Sequence, residues 1–228
     1  MLKSLPDDYI QGGTLMTDNI RAIRNKLAGE KVCENLRSRG FEAYYCESAA
    51  EALEQALRLI PEGKVVSWGG CKSCEQIGLL DAVKQGNYQV IDRDSAKTPE
   101  ERTALMKQAL TCDVFLTGTN ALTETGELVN IDGNGNRVAA MIYGPESVIV
   151  VAGMNKLVKT VMDAANRARN EAAPVNVQRF NLNTPCKVDG LCHDCNSPDC
   201  VCNYIVRTRR CKPAGKIKVI LVNEVLGY

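Results

Sequence analysis

Short apolar runs alternate with segments of helical period along nearly the whole chain, and no other feature narrows the choice of fold as far. From Asp18 the apolar residues Ile20, Ile23, Leu27 and Ala28 recur at helical spacing and Gly40 stops the segment, which predicts a helix from about Asp18 to Arg39. Phe41, Ala43 and Tyr45 alternate as in a strand. Ser48 then precedes Ala52, Leu53, Ala56, Leu57 and Ile60, a second helix closed by Pro61. Val65 to Trp68 reads as a strand, Glu75 to Lys84 as a helix ended by Gly86-Asn87, and Tyr88 to Asp92 as the next strand. Thr98-Pro99-Glu100-Glu101 supplies an N-cap, a proline at the first helical position and acids in the first turn of a helix to Leu110. After a strand at Val114 to Thr117, Glu127 to Ile131 and Val138 to Tyr143 flank Asp132-Gly133-Asn134-Gly135, which predicts a β-hairpin. Val148 to Ala152 is a buried strand feeding a helix from about Asn155 to Ala172 that Pro174 ends. Val175 to Pro185 reads as a connector, and Ile217 to Val222 as a last strand. The expected fold is α/β: a doubly wound, mainly parallel sheet with helices on both faces, plus a β-hairpin and a cysteine-rich loop before the last strand.

A chain of 228 residues fits one large domain with an appendage: an N-terminal extension over 1–17 and an α/β domain over 18–228 that includes the cysteine-rich segment 186–211. Met1 and Met16 are both candidate starts. The longest apolar run, Val148 to Met154 with its glycine, falls far short of the ~20 residues that span a bilayer. With 28 basic and 27 acidic residues, no global field draws the chain to nucleic acid or to an anionic membrane. The segment Met1 to Gly13 carries Asp7 and Asp8 and lacks an apolar core of the secretory kind, so a cytoplasmic location is expected. The 11 cysteines should then be reduced or bound to metal. A chain of this size buries roughly 70% of its unfolded surface and needs no disulfides to fold.

Six of those cysteines, Cys186, Cys192, Cys195, Cys200, Cys202 and Cys211, fall within 26 residues. The gap between Cys192 and Cys195 lets one tight turn aim two thiolates at one ion, and further thiols would complete a tetrahedral zinc site or a cubane iron–sulfur cluster. Cys186 can return across the Gly190 turn and Cys202 across the Pro198 turn, so Cys186, Cys192, Cys195 and Cys202 are the candidate ligands of one metal centre. His193, between the pair, is a further possible ligand. The competing reading is a loop of free thiols packed as small apolar groups.

A second pair, Cys71 and Cys74, follows Trp68-Gly69-Gly70 where a strand ends and a helix begins, a place that favours an anionic ligand or a thiolate. Open α/β sheets bind ligands at such strand ends. Dinucleotide and P-loop fingerprints are both absent, so neither NAD nor a P-loop nucleotide is expected. Polar residues Thr117, Thr119, Asn120 and Thr123 follow the strand at 114–117, and Asn155 and Lys156 follow the strand ending at Gly153, with Lys156 able to meet an anion. The expected small-molecule cleft is lined by Gly69, Gly70, Cys71, Ser73, Thr117, Gly118, Asn120 and Lys156. Arg207, Arg209, Arg210 and Lys212 form either a solvated face or a neutralising partner for a thiolate site.

Several segments resemble the LUD family, the lactate-utilisation domain, within the superfamily of sugar-phosphate isomerases and CoA-transferases. They are Gly69-Gly70 with Ile77-Gly78, the stretch Leu116 to Gly126, Asn130 to Val138, Gly153-Met154-Asn155-Lys156, the cysteines from Cys186 to Cys202, and the closing stretch Ile220 to Gly227. The resemblance implies a role beside iron–sulfur partner proteins in oxidising lactate or another small organic acid. Two features depart from it: Cys71 stands where a Ser is expected, and the chain carries its own cysteine cluster. Cys200 stands where the resembling family often has Arg, which makes it the weaker candidate ligand. Isomerases of the superfamily use a Gly-Ala-Asp segment for proton transfer, and Gly118-Thr119-Asn120 looks like its counterpart. Asn cannot exchange a proton at neutral pH, leaving Glu124 and Asp132 as nearby substitutes.

Three functions stay open: a redox accessory that binds a small anionic metabolite and carries a cysteine-bound iron–sulfur cluster or zinc, an isomerase or transferase using the cleft without redox, and a binding module with structural zinc. Metal content separates them.

Overall fold

The computed structural model describes residues 15–228, with side chains from Ile20 onward. The expected extension over 1–17 therefore lies outside the described residues except for its last three, which open helix α1, Leu15–Ser38. The helix buries Val32, Cys33 and Leu36, whereas Ile20, Ile23 and Leu27, expected on its core face, are exposed. Strand β1, Glu42–Cys46, follows, then α2, Ala49–Arg58, whose first turn is capped by the Ser48 hydroxyl accepting from the Glu51 N–H. After β2, Val65–Trp68, the helix expected as one piece is two, α3, Lys72–Gln76, and α4, Leu79–Gln85. Gly78 breaks it by taking φ +77°, a left-handed conformation that glycine adopts without steric cost. Next come β3, Gln89–Ile91, and α5, Pro99–Gln108, with Thr98 as the expected cap, then β4, Val114–Gly118.

The chain departs most from expectation after β4. Strands β5, Ala121–Thr123, and β6, Leu128–Asp132, pair antiparallel, so a hairpin exists, but its turn is Glu124 to Glu127. The Asp132–Gly135 stretch instead feeds a helix, α6, Asn136–Ile142. The Asp132 Oδ1 accepts from the N–H groups of Asn134 and Gly135, which curls the backbone into a helix start, and the Val-Ala-Ala-Met that follows carries helix-favouring residues.

Strand β7, Ser147–Gly153, and the two-residue β8, Leu157–Val158, precede α7, Val161–Arg167, which opens on a reciprocal capping box of Thr160 and Asp163. A π-helical turn over Ala168–Ala172 carries the chain into α8, Ala173–Val177, so Pro174 does not end the helix. The wider turn lets the proline, which has no N–H to give, enter the next helix at its start. The remaining elements are α9, Pro185–Asp189, β9, Tyr204–Thr208, and β10, Ile217–Val222.

The larger sheet has the order β1-β10-β7-β4-β2-β3, every neighbour parallel. Its strands alternate between two cores, as a sheet covered on both faces requires. Val148, Val150, Val219 and Leu221 pack toward α1, while Ile149, Val151, Ile220 and Val222 pack toward α2 and α4. The smaller mixed sheet, β8-β5-β6-β9, holds the last part of the cysteine-rich segment by pairing β9 with β6. Glu127, buried just before β6, accepts from the Arg207 Nε at 2.5 Å and Nη2 at 3.0 Å and lies 3.1 Å from Arg39, the residue after α1. Arg207, exposed as a residue of a solvated face should be, is also a structural clamp through this pair. Among the described residues no helix is long and apolar enough to cross a membrane.

Candidate functional site

All strands of the larger sheet run one way, so the loops leaving the C-terminal ends of β2, β4 and β7 meet on one side. With the turn after β6 and the segment around Pro198 they enclose a cleft of about 550 Å³. Gly69, Gly70, Cys71, Ser73, Gly118, Asn120 and Lys156 all line it, as expected from their positions. Thr117 does not. It is fully buried beneath the floor, its hydroxyl donating to the Gly118 carbonyl at 3.1 Å.

Four arginines that were not foreseen line the cleft, Arg93, Arg102, Arg137 and Arg179, and the first and third shape its chemistry. Arg137, at the start of α6, donates to the carbonyl oxygens of Gly118 and Ile131 and to the side-chain oxygens of Asn120 and Asn130. It ties the β4, β6 and α6 ends into one wall. Its signal was hidden by reading the preceding turn as a hairpin loop. Arg93, just after β3, differs: its buried Nε has no hydrogen-bond partner, its ion pair with Asp94 being long at 3.9 Å, and Nη2 lies 3.1 Å from the position a Cβ on Gly70 would take. A buried, under-partnered guanidinium is costly unless an anion meets it.

Lys156 is 4% exposed, and its Nζ donates to the Ser73 hydroxyl at 3.0 Å. Burial pulls its pKa down to about 8, partly offset by Cys71, and Arg167 and Arg137 add repulsion. Cys71 and Cys74 lie with their sulfurs 2.8 Å apart, and the Cys74 N–H donates to the Cys71 sulfur at 3.2 Å. Burial pushes the Cys71 thiol up, but the hydrogen bonds from Cys74, with Lys156 and Arg137, carry it below its ordinary value. Burial and the neighbouring Cys71 push Cys74 well above its own. The helix that follows has only five residues, so the thiolate is favoured by these particular groups rather than by a helix dipole.

Asn120 is committed through its side-chain oxygen, which accepts from the Ile131 N–H at 2.9 Å and from Arg137 at 3.0 Å. The carboxylates lining the cleft are engaged as well: Glu75 with Lys72, Asp94 with Arg102, Asp132 with the turn amides beside Arg137, and Asp199 with the Asn183 N–H. Glu124 is exposed on the β5–β6 turn, away from the cleft lining. Among the described residues, neither carboxylate considered as a substitute acid stands free at the cleft.

A separate cavity of about 100 Å³ is lined by Cys186, Cys192, Cys195, Cys200 and Cys202, together with His193. The four candidate ligands and Cys200 thus surround one space. Cys211 lies apart, its sulfur between the Pro213 carbonyl and the Ile217 N–H. His193 shares a 2.6 Å contact with Asp189. Burial, with Cys200, Cys192 and Cys186 close by, pushes the Cys202 thiol up to about 12. Among the described residues no group of three His, Cys, Asp or Glu side chains is placed to hold a metal ion. Cys200 and Val201 border both this cavity and the cleft.

The parallel sheet with a cation-bearing cleft at its strand ends defines the class, an α/β domain with its cleft at the C-terminal strand ends. Residues 29–222 match the LUD domain, and the chain belongs to that family. No curated protein matches it. Among solved structures it is similar to a DUF162-family protein of Deinococcus radiodurans, at 15% identity over 87% of this chain and 98% of that one, with a TM-score of 0.50. That likeness is one of fold. A weaker likeness is to the 5-methylthioribose 1-phosphate isomerase of Pyrococcus horikoshii OT3, at 14% identity and TM-score 0.35, over 71% of this chain and 51% of that protein.

Proposed function

We propose that this LUD protein is a redox accessory in the oxidation of lactate or another small organic acid, holding a small anionic metabolite in its cleft and an iron–sulfur cluster in its cysteine cavity. The observation that carries this reading is the wall that cleft and cavity share, Cys200 and Val201, which sets a thiol-lined space directly beside a cationic one. Thiolates are the donors soft metals and iron–sulfur clusters take, and Cys186, Cys192, Cys195 and Cys202 are the residues that would hold the group. When bound, such a cluster supplies one-electron transfer. A single zinc would need its four sulfurs about 3.8 Å apart around one point, from a Zn–S bond of about 2.3 Å.

In the cleft, Arg93 offers a carboxylate a guanidinium whose Nε makes no hydrogen bond, its ion pair with Asp94 being long at 3.9 Å, and Lys156 adds charge over Gly118 and Ser73. The engaged state of Asn120 and Asp132 counts against the isomerase alternative, which needs a free acid or base. Iron–sulfur partner proteins would exchange electrons with the cavity side, in keeping with the family resemblance. The test is metal and acid-labile sulfide analysis of protein purified without oxygen. Iron and sulfide in equal amounts support the reading, zinc alone replaces it with the binding module stabilised by structural zinc, and neither metal removes the redox role. Calorimetric titration with L-lactate tests the cleft separately.

A further inference from the structure

The Cys71–Cys74 pair is not needed for binding an organic acid, yet Cys71 lies at the floor of the same cleft beside a buried lysine, with the fully buried Cys74 sulfur 2.8 Å behind it. Gly118 keeps that floor open. A Cβ there would stand 3.4 Å from the Cys71 sulfur and 3.8 Å from the Lys156 Nζ, so the missing side chain leaves both groups facing the space above it. Other cysteines of the α/β body are unlike this pair: burial raises the thiols of Cys33, Cys46 and Cys112 to about 11, 12 and 12, and none of the three lines the cleft.

We propose that Cys71 and Cys74 form a thiol–disulfide exchange site for a small disulfide that bears carboxylates. The size follows from access, since Cys71 is 6% exposed at the floor of the cleft, out of reach of a disulfide held on another folded protein. The carboxylate follows from Arg93, whose Nε makes no hydrogen bond and pairs only at 3.9 Å with Asp94, and whose Nη2 stands over Gly70, one residue from the attacking sulfur. This rests on the cleft accepting a small carboxylate, as argued above.

In the first step the Cys71 thiolate attacks one sulfur of R–S–S–R. A Cys71–S–S–R bond forms, the R–S–S–R bond breaks, and RS⁻ leaves to take a proton from solvent. Burial, the main cause of the raised Cys74 pKa, remains, but with Cys71 no longer charged the neighbouring thiolate's contribution is gone, while Lys156 still favours the charged form. Cys74, fully buried behind Cys71, attacks the Cys71 sulfur and its proton passes to the departing thiolate. The Cys71–Cys74 bond forms and the second RS⁻ leaves. The protein loses two electrons and the small disulfide is reduced to two thiols. A reducing dithiol runs the sequence backwards.

Fully reduced protein, kept without oxygen, is incubated with oxidised glutathione or with the cationic disulfide cystamine, then alkylated, digested and read by mass spectrometry at each cysteine peptide. Oxidised glutathione should link Cys71 to Cys74 at least tenfold faster than cystamine does. Cys74→Ser should trap glutathione on Cys71, and Arg93→Met should abolish the preference between the two reagents. If both cysteines remain fully alkylatable in the wild-type protein after glutathione treatment, the exchange site is refuted. Equal rates with the two reagents would overturn the carboxylate requirement. Calorimetry with a simple carboxylate on the reduced protein reads the binding function independently, so a failed exchange and a failed cleft give different results.

Discussion

Gly69 and Gly118 are both glycines at strand ends in the cleft, yet they answer to different constraints. A Cβ at Gly69 would lie 2.9 Å from both Cγ and Cδ of Arg137, a side chain held by hydrogen bonds to four acceptors and therefore unable to retreat. Gly69→Ala should cost about 1–3 kcal/mol. At Gly118 every contact would be ordinary, 3.4 Å or longer, so Gly118→Ala should change stability by less than about 0.5 kcal/mol. Urea unfolding of the two variants checks the contrast, and equal effects would mean that Arg137 is not the rigid wall described. Asn120→Asp makes a related point. The new carboxylate keeps both acceptor roles toward Ile131 and Arg137, so the fold should be unharmed. Its charge should weaken a carboxylate ligand by about tenfold, or ~1.4 kcal/mol, in a calorimetric titration. Unchanged or tighter binding would exclude an anion close to this residue.

Glu127 shows how one side chain joins elements that are far apart in sequence. It fastens β9 to β6 through Arg207 and reaches α1 through Arg39. The Arg207 hydrogen bonds, outweighing burial and helped by Arg39, hold its carboxyl below the ordinary 4.5. A depressed carboxyl contributes stability that is present in full above the unfolded value near 4.5 and is lost as pH falls through the lower folded value. Glu127→Gln should cost about 1–3 kcal/mol at pH 7, and the gap to wild type in urea midpoint should narrow as the solution is made more acid than that folded value. A gap independent of pH would show that packing rather than charge holds β9. The elements themselves were legible where a local signal decides them: Ser48 and Thr98 cap their helices as expected, because a hydroxyl and an amide three residues on need no distant partner. The hairpin was misplaced because Asp132-Gly133-Asn134-Gly135 suits a tight hairpin turn and a helix start equally, and Asp132 chose between them by accepting two amide hydrogens. Similarly, the apolar stripe Ile20, Ile23 and Leu27 has helical spacing but stays exposed, since spacing does not reveal whether another element covers it.

From Gly190 to Asn203 the chain has no helix or strand and no fully buried residue, so its order depends on groups other than an apolar core. If the cysteine cavity is filled as proposed, binding energy serves as folding energy there. Cys195→Ser should then release the metal from anaerobically purified protein and open residues 190–203 to protease, leaving β9 and the α/β body intact because β9 is paired along β6. Limited proteolysis with mass spectrometry reads the cut. Wild type and variant cut at the same rate would leave the free-thiol reading standing. The amino-acid sequence alone determined the class of fold, the parallel order implied by alternating strands and helices, the location of the cleft at strand ends and the grouping of the tail cysteines, because each follows from periodicity or spacing within a few residues. It could not show that Arg93 and Arg137 enter the cleft, that Thr117 lies beneath it, or that Cys200 joins the cavity and borders the cleft. Those facts depend on which strand lies beside which and on which side chains find partners across them, and these long-range contacts form only when the whole sheet has closed around its two cores.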